Sequence, residues 1–219
     1  MAQWLDKQGA ATRPCGAYAW QSVWPILIEV MRVIKTEIED VVIIEPQLFE
    51  DERGYFYEVF NERKFEEATG KRVKFVQQNE SLSKEGVVRG LHFQLPPHAQ
   101  SKLVRVTQGE VVDVAVDIRR GSATFGKYVA VTLSAENRRQ LFIPRGFAHG
   151  FVVTKGDAKV EYLCDNYYAP DAEGAIIWND SQLDIAWGVS EPIISAKDAA
   201  NKPLAECDRL FDINVDYYA

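Results

Sequence analysis

The chain of 219 residues is poor in the residue types that build disulfide and metal sites, since it contains only three cysteines and three histidines. Cys15, Cys164 and Cys207 lie far apart and form no CxxC pair. An odd number of scattered cysteines favours free thiols in a reducing compartment over a disulfide framework or a zinc site. We therefore expect a cytoplasmic protein.

Positive charge is also scarce, because 25 Lys and Arg stand against 32 Asp and Glu and give a formal net charge of −7. A protein that binds nucleic acid regardless of sequence would carry a surplus of Lys and Arg, so we expect no nucleic-acid partner. An anionic small molecule stays compatible, since a few local cations can override the average charge. No stretch approaches the roughly 18 apolar residues of a membrane span, so no membrane partner is expected either.

Residues 1–30 differ in pattern from the rest of the chain, with three of the five tryptophans and no strand alternation. A secretory leader is not expected, because Gln21, Ser22 and Pro25 interrupt the apolar stretch. We interpret residues 1–30 as an N-terminal extension that is not part of the core. Residues 31–219 are interpreted as one domain, which itself opens on a methionine.

From residue 31 onward, short runs rich in Val, Ile, Phe and Tyr alternate with turn residues. The runs are "DVVIIE", "GYFYEVF", "VKFVQQ", "VVRGLHFQ", "KLVRVTQ", "EVVDVAVDI", "KYVAVTL", "RQLFIP", "GFVVT" and "KVEYLCD". Asp113 and Asp117 alternate with valines in "EVVDVAVDI", which predicts a half-buried antiparallel strand. The whole pattern predicts an all-β jelly roll, a double-stranded β-helix with a few short helices.

Two short helices are predicted among the strands. In "NERKFEEATG", Asn61 is a suitable N-cap and Gly70 a suitable C-cap. In "SAKDAAN", Ser195 is the expected N-cap, with Asp198 three residues further on.

Two polar side chains lie within apolar strand patterns. His92 of "VVRGLHFQ" is either a hydrogen-bonded core residue or a catalytic one. Arg89 has the opposite parity, so both side chains reach one pocket only if Gly90 bends the strand. Lys102 of "SKLVRV" shares its face with two valines, which fits either a cavity-lining lysine or a protective lysine on an edge strand.

The segment "IPRGFAHGF" carries the P-x-G-x-x-H spacing of the second half of the cupin signature, and so resembles a cupin jelly roll. Metal-binding cupins also need an H-x-H pair, whereas the matching stretch here reads His92-Phe93-Gln94. His92 and His149 without a clear carboxylate ligand make a poor transition-metal site, and His98 is expected in an exposed loop. We predict no metal.

A series of motifs runs without a large gap from Met31 to about Asn201. They are "DERGYFYE", "FVQQNES", "VVRGLHFQ", "KLVRV", "GEVVDVAVDIR", "SAENRRQLFIPRGFAHGF", "EYLCDNYYAPDAEGAIIWND" and "SAKDAA". Together they closely resemble the dTDP-4-dehydrorhamnose 3,5-epimerase family. The resemblance implies a cytosolic homodimer of jelly-roll subunits, no metal, no cofactor, and dTDP-4-dehydro-6-deoxy-D-glucose as the substrate.

The resemblance implies four catalytic residues for a reaction that removes a proton beside a ketone and returns one to the opposite face. His92 is the implied base, since an imidazole titrates near neutral pH, and Asp198 would orient its ring. Lys102 matches the position that stabilises the enolate oxygen. Tyr162 matches the acid that delivers a proton from the other side.

Substrate contacts are also implied by the resemblance. Arg53 and Arg89 match phosphate contacts, Tyr168 matches the residue that stacks on thymine, and His149 matches a pocket histidine near the sugar. The other implied substrate-binding positions are Glu58, Gln77, Gln78, Asn79, Glu173 and Lys197. Without the resemblance, these would be interpreted as solvated surface or turn residues.

Several alternatives stay open at this point. A mono-epimerase or a 3,4-ketoisomerase acting on a related dTDP-sugar would share the fold. A non-catalytic cupin would bind a sugar nucleotide or a metal without turnover, and a purely structural β-domain would leave the co-occurring lysine, histidine and tyrosine unexplained. The final stretch "CDRLFDINVDYYA" lies beyond the matched region, and the sequence assigns it no role.

Overall fold

The computed structural model describes residues 31–218, so the extension expected at residues 1–30 lies outside the described residues. The strands are β1 (Arg32–Lys35), β2 (Val42–Glu45), β3 (Phe49–Asp51), β4 (Gly54–Phe56), β5 (Gln77–Ser83), β6 (Val88–Gln94), β7 (Lys102–Asp117), β8 (Arg119–Arg120), β9 (Tyr128–Ser134), β10 (Gln140–Ile143), β11 (Phe147–Cys164), β12 (Glu173–Ala175) and β13 (Phe211–Asp212). The helices are α1 (Glu62–Thr69), α2 (Ala196–Ala199) and two 3₁₀ turns, Pro170–Ala172 and Leu204–Glu206. None of the helices described between residues 31 and 218 is long and apolar enough to cross a membrane.

Two long antiparallel strands, β7 and β11, organise the fold and pair along nearly their whole length. The first part of β7 also pairs with β10 and the second part with β9. Similarly, β11 pairs first with β6 and then with β5. The main sheet has the order β1-β2-β10-β7-β11-β6-β12, with β9 and β5 paired to β7 and β11 off this path. Because each long strand changes its second neighbour midway, the sheet folds over into two layers. The predicted all-β jelly roll is confirmed.

Four of the predicted runs form only two strands, which corrects the sequence-based boundaries. "KLVRVTQ" and "EVVDVAVDI" belong to β7, while "GFVVT" and "KVEYLCD" belong to β11. Gly109, expected in a turn, lies inside β7 with φ +71°. A Cβ there would lie 2.6 Å from the carbonyl oxygen of Asp157, so this glycine permits the close approach of β7 and β11 where their pairing is irregular.

The predicted runs "VKFVQQ" and "GYFYEVF" are mostly not strands. Only Gln77 and Gln78 of the first belong to β5, and β4 ends at Phe56. Phe60 and Phe75 instead pack with Phe65 of α1. These two rings therefore pack against α1 instead of continuing a strand.

Both predicted helices are confirmed, together with their caps. Asn61 accepts a hydrogen bond from the backbone N–H of Lys64 at 3.2 Å, and Gly70 ends α1 with φ +68°. Ser195 Oγ accepts from the backbone N–H of Asp198 at 3.0 Å at the start of α2.

The prediction of a half-buried strand at "EVVDVAVDI" is wrong, because both faces of this part of β7 are covered. One face packs inside the jelly roll, while Trp187, Leu204 and Phe211 from the C-terminal segments cover the other. Asp113 and Asp117 are therefore fully buried rather than solvated. Asp117 is compensated by hydrogen bonds from the guanidinium of Arg119 and from the hydroxyl groups of Ser122 and Thr124.

Candidate active site

A cleft of about 130 Å³ in the jelly roll brings together seven of the fourteen residues predicted to be functional. Its walls come from β5, β6, β7, β11 and β12 and from the segments that precede β7 and follow β11. The lining residues are Gln77, Asn79, His92, Phe93, Gln94, Gln100, Lys102, Tyr162, Tyr168 and Glu173.

His92 and Asp198 form a hydrogen-bonded pair, with 2.7 Å between Nε2 and the carboxylate oxygen Oδ1. The imidazole is about one-third exposed, whereas the Asp198 side chain is 6% exposed. The backbone N–H of Gly90 lies 3.4 Å from the second carboxylate oxygen. When Nε2 donates its proton to Asp198, Nδ1 carries the lone pair, so the ring is oriented as a base.

The bend expected at Gly90 is present. β6 has one residue more than β11 between the paired positions His149–His92 and Phe151–Arg89. Gly90 has φ +124°, and a Cβ there would lie 2.6 Å from the backbone of β11. The bend changes the parity of β6, so Arg89 and His92 lie on the same side of the strand. The Arg89 side chain is exposed and donates to Ser83 at 2.9 Å, and its contact with substrate stays a prediction.

Lys102 occupies a central strand position, paired with Ile143 on one side and with Cys164 on the other. The alternative of a protective edge-strand lysine is therefore wrong. Its ammonium lies 3.5 Å from Nδ1 of His149. Burial lowers the pKa of Lys102, and the negative charge of Asp113 partly offsets this effect.

Asp113 is the site residue that the sequence did not predict. It is fully buried, and its Oδ1 lies 2.8 Å from Nε2 of His149. Burial lowers the pKa of His149, so a neutral ring can accept from Lys102 at Nδ1 while Nε2 donates to Asp113. A signal existed, because Val111 and Ala115 on the same parity are apolar, which places this acid on an interior face.

Tyr162 lies near Lys102, with 5.8 Å between its ring centroid and the ammonium. Burial raises the pKa of its phenol, and the nearby charge of Arg89 opposes this effect only in part. Burial also raises the pKa of the neighbouring Cys164 thiol to about 11. Both groups therefore stay protonated at neutral pH, and a protonated phenol is what the predicted acid role of Tyr162 requires.

The mouth of the cleft carries an exposed chain of polar contacts. The hydroxyl of Tyr168 donates to Glu173 at 3.0 Å, and Lys197 donates to the other carboxylate oxygen of Glu173 at 2.7 Å. The backbone N–H of Tyr168 donates to the side chain of Gln77 at 3.0 Å. The Tyr168 side chain is thereby held at the entrance with 56% of the residue exposed.

Gln94, which replaces the second histidine of the cupin H-x-H pair, anchors the loop after β11. Its Nε2 donates to the carbonyl oxygens of His98 and Tyr167, and its Oε1 accepts from the backbone N–H of Ala169. His98 lies in an exposed loop, as predicted. Within residues 31–218, no group of three or more His, Cys, Asp or Glu side chains is placed to hold a metal ion.

Six predicted substrate-binding residues do not line the cleft. His149 contacts the lining residue Lys102, Lys197 contacts the lining residue Glu173, and Arg89 donates to Ser83 at 2.9 Å.

The other three are Arg53, Glu58 and Gln78. Arg53 lies in the exposed β3–β4 hairpin and pairs with Asp51. Glu58 pairs with Lys64 at 2.8 Å beside the start of α1. Gln78 has the opposite parity to Gln77 and lines a groove on another face of the sheet. Their contact with substrate stays a prediction.

Comparison with known proteins places this site in a family. The dTDP-4-dehydrorhamnose 3,5-epimerase family model matches residues 35–206. A dTDP-4-dehydrorhamnose 3,5-epimerase of Salmonella typhimurium is 58% identical over 171 residues, which is 78% of this chain and 93% of that protein.

Solved structures of similar fold lead to the same family. The dTDP-6-deoxy-D-glucose-3,5-epimerase of Legionella pneumophila, in complex with dTDP-4-keto-L-rhamnose, has a TM-score of 0.81 and 49% identity, covering 84% of this chain and all of that one. A 3'-monoepimerase of Streptomyces bikiniensis in complex with dTDP-quinovose has a TM-score of 0.74 and 34% identity, covering 78% and 87%. The chain belongs to the dTDP-4-dehydrorhamnose 3,5-epimerase family and is an enzyme of the isomerase class.

Proposed function

We propose that this chain converts dTDP-4-dehydro-6-deoxy-D-glucose to dTDP-4-dehydro-L-rhamnose by inverting C3 and C5, in dTDP-L-rhamnose biosynthesis. The observation that carries the proposal is the His92–Asp198 pair, which shares one cleft with Lys102 and Tyr162. Each proposed step uses a side chain of this chain, and no cofactor takes part.

His92 removes the proton from C3 or C5. Both carbons are adjacent to the C4 ketone, which makes their C–H bonds weakly acidic. Nδ1 of His92 is the available lone pair, since Nε2 is bonded to Asp198. The carboxylate holds the ring in this tautomer and stabilises the imidazolium that forms.

Lys102 stabilises the enolate oxygen that develops at C4. A partly desolvated ammonium interacts strongly with an oxyanion, because little water screens the charges. Its contact with His149 and the charge of Asp113 support the cationic form against the effect of burial. His149 is therefore proposed to position Lys102 while it lines the sugar end of the site.

Tyr162 returns a proton to the face opposite His92. Its phenol is raised in pKa by burial and is protonated at neutral pH, while an enolate is basic enough to accept the proton. The base on one side and the acid on the other invert the carbon rather than restore it.

The mouth of the cleft is proposed to bind the nucleotide end of the substrate. Tyr168 offers an exposed aromatic plate for thymine, and Arg89 and Lys197 supply cations near a diphosphate. Gln77, Asn79 and Glu173 provide polar contacts along the same wall.

The chain is further proposed to act as a cytoplasmic homodimer. The β3–β4 hairpin exposes Phe49, Tyr55 and Phe56 at 49%, 56% and 69%. Such an aromatic patch favours contact with a second copy, and Arg53 and Glu58 would then bind substrate at or near that contact. Sedimentation of the purified chain as a dimer supports this, and a monomer at micromolar concentration contradicts it.

A 3'-monoepimerase is the second candidate, because the relative from Streptomyces bikiniensis has the same fold. The higher identity to 3,5-epimerases favours inversion of both carbons. Proton NMR of the product distinguishes the candidates. Inversion at C3 and C5 supports the proposal, and inversion at C3 alone supports the second candidate. A ketone moved to C3 indicates a ketoisomerase, and unchanged substrate indicates a binding module.

A further inference from the structure

The C-terminal tail, Asp208–Tyr218, packs onto the wall of the cleft. β13 pairs in parallel with β8, and Phe211 is 2% exposed. The ring of Phe211 lies 6.3 Å from that of Phe93 and 4.9 Å from that of Tyr217. The tail therefore reaches a residue directly adjacent to His92, although it lies beyond residue 206, where the match to the family model ends.

A ring of polar contacts joins the end of this tail to two strands of the site. The Tyr218 hydroxyl lies 2.6 Å from Ser101 Oγ and accepts from the backbone N–H of Arg145 at 3.0 Å. Arg145 Nε donates to Asp165 at 3.0 Å, and Asp165 accepts from the backbone N–H of Ser101 at 2.6 Å. Ser101 is fully buried and the Asp165 side chain is 3% exposed, so the contact between these two is shielded from water, whereas Tyr218 is 43% exposed.

The ring lies next to Lys102 along the chain. Ser101 precedes Lys102, and Asp165 follows Cys164, which is paired with Lys102 across the two strands. Lys102 is the first residue of β7, and just before it the carbonyl of Ser101 accepts from the backbone N–H of Asp165 at 3.3 Å. Two side chains add to this restraint, since Asp165 accepts from the backbone N–H of Ser101 and Tyr218 bonds its hydroxyl group.

We propose that Tyr218 is a positioning residue that holds Ser101 and thereby fixes the backbone from which Lys102 reaches the enolate oxygen. This role rests on the proposed function of Lys102. The tail acts as a clamp on the catalytic ammonium, and it binds no substrate itself. Small displacements of a catalytic group reduce turnover without a matching loss of binding.

The test compares Tyr218→Phe, Ser101→Ala and the double variant with Tyr217→Phe. The Tyr217 hydroxyl accepts only from the backbone of Asp212 within the tail, so its variant is a matched loss of one tail hydrogen bond. Tyr218→Phe and Ser101→Ala should each lower kcat by about five- to twentyfold, while KM and the Kd for dTDP change less than about twofold. Tyr217→Phe should keep the kcat of the wild type.

The double variant should be no slower than the slower single variant, because both substitutions remove the hydrogen bond between Ser101 and Tyr218. If Tyr218→Phe keeps the wild-type kcat, or if its kcat falls no more than that of Tyr217→Phe, the proposed positioning role of Tyr218 is wrong. If Tyr218→Phe proves unstable in a thermal melt, the kcat of Ser101→Ala decides instead, and a wild-type kcat for that variant contradicts the proposal. A wild-type chain without epimerase activity would instead overturn the proposed function, so the two failures are distinguishable.

Discussion

His92 and Asp198 are 106 positions apart in the sequence, yet Nε2 of the imidazole lies 2.7 Å from the carboxylate oxygen. The bend of β6 presents the histidine, and the capped turn of α2 presents the acid. Asp198 is held in place by two further bonds: its carboxylate accepts from the backbone N–H of Gly90, and its own backbone N–H donates to the Ser195 hydroxyl. The imidazole is therefore oriented before substrate binds.

Asp198→Asn tests whether this orientation matters for the chemistry. The amide keeps the size of the side chain but removes the negative charge and can stabilise the wrong tautomer. We expect kcat to fall by about 10²- to 10⁴-fold while the Kd for dTDP, measured by calorimetry, stays near the wild-type value. A variant within about threefold of wild-type kcat would contradict the role of the carboxylate.

Tyr162→Phe tests the proposed acid. Without the phenol, the enolate can still form and can be reprotonated from the His92 side. In heavy water, net epimerisation should therefore fall much more than the exchange of substrate protons. An equal fall in both rates would show that Tyr162 is not the acid.

The pH dependence of turnover reports the charge of Lys102. Because burial lowers its pKa, the ammonium is lost at a pH below its usual 10.5, and kcat should decline on the alkaline side below that value. The phenol of Tyr162 has a raised pKa and the Cys164 thiol one of about 11, so neither accounts for a decline there. The decline should persist in the residual activity of Tyr162→Phe, and its disappearance in that variant would contradict the assignment.

Asp113→Asn should move this alkaline decline to lower pH. Asp113 supports the cationic form of Lys102, so removing its negative charge lowers the lysine pKa further. Glu136→Gln is the matched control, because it removes a carboxylate whose side chain is 86% exposed and contacts only Lys155. A profile for Asp113→Asn that matches the control, or that shifts upward, would show that the buried pair does not act on Lys102.

The fold class and the meeting of His92, Lys102 and Tyr162 in one cleft could be predicted from the sequence because they depend on local patterns and on collinear motifs. The caps of both helices, the bend at Gly90 and the exposure of His98 depend on neighbouring residues and were predicted correctly. The lengths of β7 and β11 were not predicted correctly. A glycine such as Gly109 favours a turn in sequence, and only the close approach of the second strand shows why a glycine lies within β7.

Burial depends on what covers a face, which a single strand pattern does not contain. The strand was expected to be half-buried because Trp187 and Phe211, which cover the face of Val114 and Val116, lie about 75 to 100 positions later in the chain, while Asp113 lies on the opposite, interior face with Val111 and Ala115. The tail had no predicted role for the same reason, since Tyr218 meets Ser101 only after folding. Gln78 illustrates strand parity, which places it away from the cleft that Gln77 and Asn79 line.

Proton NMR of dTDP-4-dehydro-6-deoxyglucose in heavy water tests the central claim most directly. The wild-type chain should replace the protons at C3 and C5 with deuterium and form the inverted product. His92→Asn should abolish exchange at both carbons, because it removes the only proposed base, while the Kd for dTDP stays nearly unchanged. Exchange by His92→Asn at a rate near that of the wild type would contradict the account.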